Sequence, residues 1–400
     1  MRKLALPSLK WTLCCLLHAG GFILMAQNDS SKTQLPIDAN FLFNYYDQDG
    51  VHSPVTGGQG TESLQDRSSI LQVNIPIDSI ARVKLNAGFN YYTSASTDRI
   101  DTRMSSASRG DGRARMYVTY EKDRKDGRTT YGGTAGGSIE SDYISSSVGV
   151  HFSHRSKDNN QEVGLTANMY HDTWVVIFPE ELRRNQMAQV PTDRRRTYSL
   201  ELTYSRVINQ RFQALVAAEM VYQNGLLSTP FHRVFFLDES LPRIERLPGE
   251  RWKFPIALRL HYFAGNSVIL RGSYRWYYDT FGLQAHSLRL ETPIKITSFL
   301  SAYPFYRFHT QTQAHFFKPF GEHLPGATFY TSDFDLSGLN SHNFGVGIGY
   351  EPLYGIFRMR WGSGQRALVI NRMNVRYIRY LRSDGLESHA IGADIGLRLR

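Results

Sequence analysis

The stretch "DQDGVHSPVTGGQGTE" sets two carboxylates, Asp47 and Asp49, two residues apart and just ahead of a glycine. That spacing occurs in the middle of calcium loops, where acids at alternate positions converge on the ion and the glycine permits a sharp turn. With Gly50 as the sixth loop position, Tyr45 falls first and Thr56 twelfth. Neither side chain supplies the ligand needed there, so an EF-hand is excluded. A cation site built from several loops requires only converging oxygens at roughly 2.3–2.6 Å. Asp47, Asp49, Asp98, Asp333 and Asp335 are the candidates for such a site, holding Ca2+ or another divalent cation. The competing reading is turn chemistry, because Asp side chains bond the local backbone. No other cofactor is expected.

Histidines, a serine and a glycine-rich run offer further chemistry. His52, His232, His309, His315, His323 and His342 fall in or beside loop-like segments, without a tight ligand spacing between any two. Ser228 and His232 are separated by Thr229-Pro230-Phe231, a bend rather than a nucleophile elbow, and no oxyanion-type glycine pattern follows. No catalytic residue is assigned, and the chain is not expected to be an enzyme. "GGTAGG" at Gly132–Gly137 lacks the GK[ST] ending of a phosphate loop. The formal charge is +10, yet the arginines on inward positions are spread singly, on alternate residues. Tracking a phosphate backbone needs a clustered patch, so nucleic acid is not an expected partner.

Those alternate positions define the elements that carry everything else. In "ARVKLNAGFNYY", Val83, Leu85, Ala87, Phe89 and Tyr91 share one face and Arg82 and Lys84 the other. "RFQALVAAEMVYQ", "FPIALRLHYF", "SVILRGSYRWYYD" and the final segment through Ile391, Ile395 and Leu399 repeat the pattern. Period two with one apolar face is a strand. The strands are long, Tyr, Trp and Phe collect at their ends, and short connections alternate with long ones. Short turns are expected at Ile77–Ser79, Lys157–Asn160, Ile208–Gln210 and Ala264–Ser267, and long loops near 47–68, 93–112, 179–194, 224–252 and 312–341. This rhythm predicts an all-β fold: a transmembrane, antiparallel, up-and-down β-barrel of about 16 strands, with short periplasmic turns and long outer loops. The segment 351–367 is taken as a periplasmic turn with a small insertion, with a further strand as the alternative.

The N-terminus agrees with export. Arg2, Lys3 and Lys10 precede the apolar run Trp11–Met25, and Ala26 is a plausible last residue before cleavage. The expected organisation is a signal peptide at 1–26 and one barrel domain at 27–400. Both cysteines, Cys14 and Cys15, lie inside the signal, so the mature chain is held by its sheet rather than by disulfides.

Inward positions of such a barrel supply Arg82, Arg115, Arg259, Arg271, Arg275, Arg289 and Arg307 against few acids. One reading is a cationic lumen that attracts anions. The other is a solvated wall with local Arg–Glu ladders.

The phrases "DQDGVHSPVTGGQGTE", "YTSASTD", "GLLSTPFHRV", "YPFYRFHTQT", "YTSDFDLS" and "RSDGL" resemble the domain of unknown function family 3570, predicted outer-membrane barrels of Gram-negative bacteria. The resemblance runs from about Asn44 to the C-terminus. It implies the fold and the outer membrane, and brings no catalytic residues with it. The expectation is a porin-like channel or solute-binding barrel with a basic lumen and structured outer loops. The alternative is a structural barrel docking a protein of an envelope redox or assembly complex. Outer-membrane lipid and, during insertion, the barrel-assembly machinery are the other expected partners.

Overall fold

The computed structural model describes residues 35–94, 96–101, 108–183, 191–361 and 366–399. The expected signal peptide at 1–26 lies outside them. The strands in chain order are β1 (Ile37–Gly50), β2 (Glu62–Pro76), β3 (Ala81–Thr93), β4 (Gly110–Asp123), β5 (Thr129–Ile139), β6 (Tyr143–Arg155), β7 (Gln161–Val175), β8 (Thr192–Asn209) and β9 (Phe212–Gly225). Then follow β10 (Glu250–Lys253 continued by Ile256–Ala264), β11 (Val268–Tyr278) and β12 (Gln284–Glu291 continued by Ile294–Lys295). The series ends with β13 (Leu300–Gln311), β14 (Leu339–Tyr350 continued by Phe357–Trp361), β15 (Arg366–Arg382) and β16 (Glu387–Leu399). Each pairs antiparallel with its neighbour in sequence, and β1 pairs with β16 from Ile37↔Leu399 to Asp49↔Glu387. The sheet is therefore a closed barrel of 16 strands, with no open edge.

Within the segment 351–367, Phe357–Trp361 extends β14 and Arg366 begins β15. Phe357–Trp361 continues along β15 below Tyr350, after the short excursion 351–356, and adds length without adding a strand to the ring.

Local chemistry explains which end carries the short turns. Asp78 Oδ1 accepts from Ile80 N and Ala81 N, Asp126 Oδ1 from Arg128 N and Thr129 N, and Asn209 Oδ1 from Arg211 N. Thr297 Oγ1 accepts from Leu300 N in the same manner. A short polar side chain thus closes each of these reversals, where two strands leave no room for a longer loop. All lie at one end of the barrel. At the other end, long loops join β1–β2, β3–β4, β7–β8, β9–β10 and β13–β14.

The alternating pattern turns its apolar face outward. Met116, Val118 and Tyr120 on β4, Val148, Val150 and Phe152 on β6, and Phe344, Val346 and Ile348 on β14 are all exposed on the outside. An uninterrupted apolar exterior is unfavourable in water and suits a hydrocarbon surround. At the long-loop end the belt finishes in touching rings. Tyr198, Tyr222 and Trp252 lie on consecutive strands with centroids 6.4 and 4.6 Å apart, and Phe254 continues the row to Tyr278 at 6.4 Å. Such amphipathic rings sit at the membrane–water boundary.

The dry core lies in the loops. Phe281, Leu283, Ala314 and Phe317 form one buried cluster, and Val234, Phe236 and Tyr330 a second. Both belong to the long-loop end, so the loops fold as a cap with its own interior.

Candidate functional site

Strand parity places the inward side chains. Across β10, β11, β12 and β13, one register row reads Arg259, Ser273, Arg289, Arg307. Arg289 and Arg307 stand directly opposite each other. Like charges in that position destabilise a sheet, so this row is not what strand pairing alone would favour. Arg271 and Arg275 flank the row on β11. Glu291 serves three of these guanidinium groups: Arg271 Nη1 at 3.1 Å, Arg289 Nη2 at 2.7 Å and Arg376 Nη2 at 3.4 Å. Arg289 and Arg376 also lie over the Phe305 ring, at 4.6 and 5.5 Å. Among the described residues, Arg259, Arg275 and Arg307 have no carboxylate within 4.0 Å. This wall carries a net positive charge after local pairing.

The opposite wall differs. Arg82 Nε meets Glu121 at 2.6 Å and its Nη1 meets Asp123 at 3.0 Å, while Lys84 Nζ reaches Glu121 at 2.6 Å. Arg115 lies across Gly88, where a Cβ would come within 2.7 Å of its Nε. Arg82 is therefore neutralised, while Arg115 has no carboxylate within 4.0 Å among the described residues, so the unpaired lumen charge is denser on β10–β13 than on this wall. Below the strip, toward the short turns, a cavity of about 850 Å³ is lined by Arg271, Glu291, Lys295, Arg372, Arg376 and Asp394.

Arg372 escaped the sequence reading for a structural reason. Counting by two from Leu368 and Ile370, both outward, puts residue 372 outward as well. A β-bulge between Ile370 and Arg372 shifts the phase, and Arg372 instead faces inward to Asn40 Oδ1 at 3.0 Å and Asp394 Oδ1 at 3.5 Å. Period counting cannot see such an insertion.

Over the lumen the loops meet. The β1–β2 and β9–β10 loops are eight strands apart on a ring of 16, hence diametrically opposed. Strand spacing and tilt give such a barrel a width of roughly 30 Å. Arg233 of the β9–β10 loop nevertheless donates from Nη1 to Val55 O at 2.6 Å in the β1–β2 loop. The same guanidinium grips Glu181 of the β7–β8 loop, with Nη2 2.8 Å from Oε2. That hydrogen bond is the main reason the Glu181 carboxyl falls to about 2, with the Arg233 and Arg99 charges helping and partial burial opposing. His52 stacks on Phe334 of the β13–β14 loop at 3.8 Å and 7°. Four loops thus bridge the mouth.

The five expected cation ligands are placed apart. Asp47 is at the outer rim of β1, accepting from Tyr45 OH at 3.1 Å and Gln65 Nε2 at 2.9 Å. Asp49 is exposed two residues on. Asp98 accepts from Thr61 N at 2.7 Å, and Asp335 from Arg382 Nη1 at 2.5 Å. Asp333 Oδ1 caps the short turn Phe334–Leu336 through Asp335 N at 2.9 Å. Of the five, only Asp333 joins a group of three donors within 4.8 Å among the described residues, with His232 and Glu245. Glu245 gave no signal in the sequence, since it meets His232 only through the fold of the loop. Ser228 Oγ accepts from Leu247 N at 2.8 Å and so serves the loop backbone.

No curated protein matches the chain. Among solved structures, Pseudomonas aeruginosa OccK1 (OpdK) is similar at 8% identity and a TM-score of 0.41, over 91% of this chain and 98% of that one. The ferric enterobactin receptor PfeA of the same organism, as a mutant, is similar at 10% identity and a TM-score of 0.43, over 86% of this chain. The chain spans about half of that receptor's length, 53%. At these scores the barrel rests on its own closed pairing order. A family model matches residues 93–355, and the chain belongs to the family described as protein of unknown function (DUF3570).

Proposed function

We propose that the protein is an outer-membrane channel that binds and passes small anionic solutes, its outer mouth narrowed by the interlocked loops. The observation that carries the reading is the strip formed by Arg259, Arg275, Arg289 and Arg307, where, among the described residues, Arg289 alone has a carboxylate within 4.0 Å, that of Glu291. A low-dielectric wall focuses the field of such a strip into the lumen and raises the local anion concentration. The apolar belt and aromatic row support the membrane, and the long loops face outward as in barrels of this type. The chemistry is transport: the lumen offers charge and hydrogen bonds to a solute.

The test is reconstitution in planar bilayers. The reading expects small, discrete conductance steps with anion preference, and loss of that preference in Arg271→Glu with Arg275→Glu. Absence of any conductance, both in the native protein and after the cap is loosened by Arg233→Ala, would reject a channel.

A further inference from the structure

The β9–β10 and β13–β14 loops bring one imidazole and two carboxylates to a single point inside the cap. His232 Nδ1 stands 3.6 Å from Glu245 Oε1 and 3.9 Å from Asp333 Oδ2. The imidazole is 9% exposed, and its Nδ1 has no hydrogen-bond partner. A protonated imidazole paired directly with these acids would sit at roughly 2.7–2.9 Å. A tetrahedral centre with bonds of about 2.0–2.2 Å has ligand–ligand edges of about 3.3–3.6 Å. The His232–Glu245 separation reaches the upper end of that range, the His232–Asp333 separation exceeds it by about 0.3 Å, and all three donors lie within 4.8 Å of one another, so a small closure would place them around one ion.

Their supports are already in place. Glu245 Oε1 accepts from Thr331 Oγ1 at 2.5 Å and its Oε2 from Thr229 N at 2.6 Å. Thr331 Oγ1 also accepts from Asp333 N at 3.0 Å, so one hydroxyl orients both acid-bearing segments. Outer hydrogen bonds of this kind hold metal ligands in register. Asp335 follows two residues after Asp333, with its N–H on the Asp333 carboxylate, so three carboxylates crowd this imidazole, and a divalent cation would relieve that crowding.

The geometry points to a zinc-class divalent cation bound by His232, Glu245 and Asp333, clamping the β9–β10 loop to the β13–β14 loop. One nitrogen and two carboxylates suit zinc rather than calcium, which takes six to eight oxygens. Asp333, at 22% the most exposed of the three side chains, is where solvent reaches the cluster. The clamp lies beside Arg233, which ties in the β1–β2 and β7–β8 loops, so the ion would lock the whole cap. It stands independently of what crosses the lumen.

The experiment uses the full barrel in detergent, stripped with chelator and titrated with Zn2+ by calorimetry. One equivalent should bind saturably, and bound zinc should slow protease cleavage within 226–249. His232→Ala and Glu245→Gln with Asp333→Asn should abolish the saturable site, and Thr331→Val should weaken it roughly 10–100-fold. Asp111→Asn, in a separate acidic cluster, should leave it unchanged. Heat-modifiable migration on gels verifies that each variant keeps its barrel. No saturable zinc binding, binding unaltered in the Glu245/Asp333 variant, or calcium bound in preference to zinc would overturn the assignment.

Discussion

Arg233 is 7% exposed and satisfies acceptors on two other loops, so its removal strands a buried carbonyl and a carboxylate. Each such orphaned group costs about 1–3 kcal/mol. Arg233→Met should therefore leave the barrel folded while the cap becomes protease-sensitive, measured as cleavage within 226–249. The Glu181 partner gives this lock a pH dependence with a defined sign. Its folded value lies near 2, below the ordinary 4.5, so the ionised carboxylate stabilises the cap fully above about 4.5, and this is lost as the pH falls toward 2. Pepsin cleavage of the cap should rise across that window in the native protein and show no such rise in Glu181→Gln. Inside the lumen, Glu291 is 9% exposed and holds Arg271, Arg289 and Arg376. Glu291→Gln leaves three partly solvated cations without their shared acid, and should lower stability by about 1 kcal/mol, read by urea unfolding in lipid vesicles. At this scale the sequence was partly legible. The inward arginines follow from alternation, whereas the neutralisation of Arg82 by Glu121 and Asp123 depends on which strands become neighbours.

At the scale of elements, the glycine-rich loop after "DQDG" shows why its composition is needed. Gly57, Gly58 and Gly60 all have φ between 83° and 90°. At Gly57 a Cβ would meet the Phe235 ring at 2.7 Å. Gly57→Ala combines a left-handed backbone, which costs a side-chain-bearing residue about 1–2 kcal/mol, with a clash against the opposite loop. It should unseat the β1–β2 loop and accelerate its proteolysis without changing the barrel's gel migration. Strands, turns and the rhythm of short and long connections were readable because each is set locally, by period two or by an Asp or Asn folding back on its own backbone. The bulge before Arg372 and the meeting of loops across the mouth were not readable. One is a single-residue phase slip, and the other is contact between segments nearly 180 residues apart, Val55 and Arg233.

For the whole molecule, closure and the outward apolar face make the membrane part of the folded state. Val148, mid-strand on β6 and 58% exposed, should face hydrocarbon. Val148→Arg is expected to destabilise the barrel by about 2–4 kcal/mol in lipid vesicles, while Thr134→Arg on the lumen side of β5 should cost much less. An unchanged unfolding midpoint for the first would contradict a membrane-spanning belt. The net charge of +10 foretold a basic protein but not where the charge would act. On the lumen side, Arg259, Arg275 and Arg307 on β10–β13 stand without a carboxylate within 4.0 Å among the described residues, whereas Arg82 and Lys84 meet Glu121. The most direct test is therefore the reversal potential of the reconstituted channel under a salt gradient, comparing the native protein with Arg289→Gln/Arg307→Gln and with Arg82→Gln. The account predicts anion preference in the native protein, its marked reduction in the double variant and little change in Arg82→Gln. Equal shifts in both variants, or a cation-preferring native channel, would contradict it.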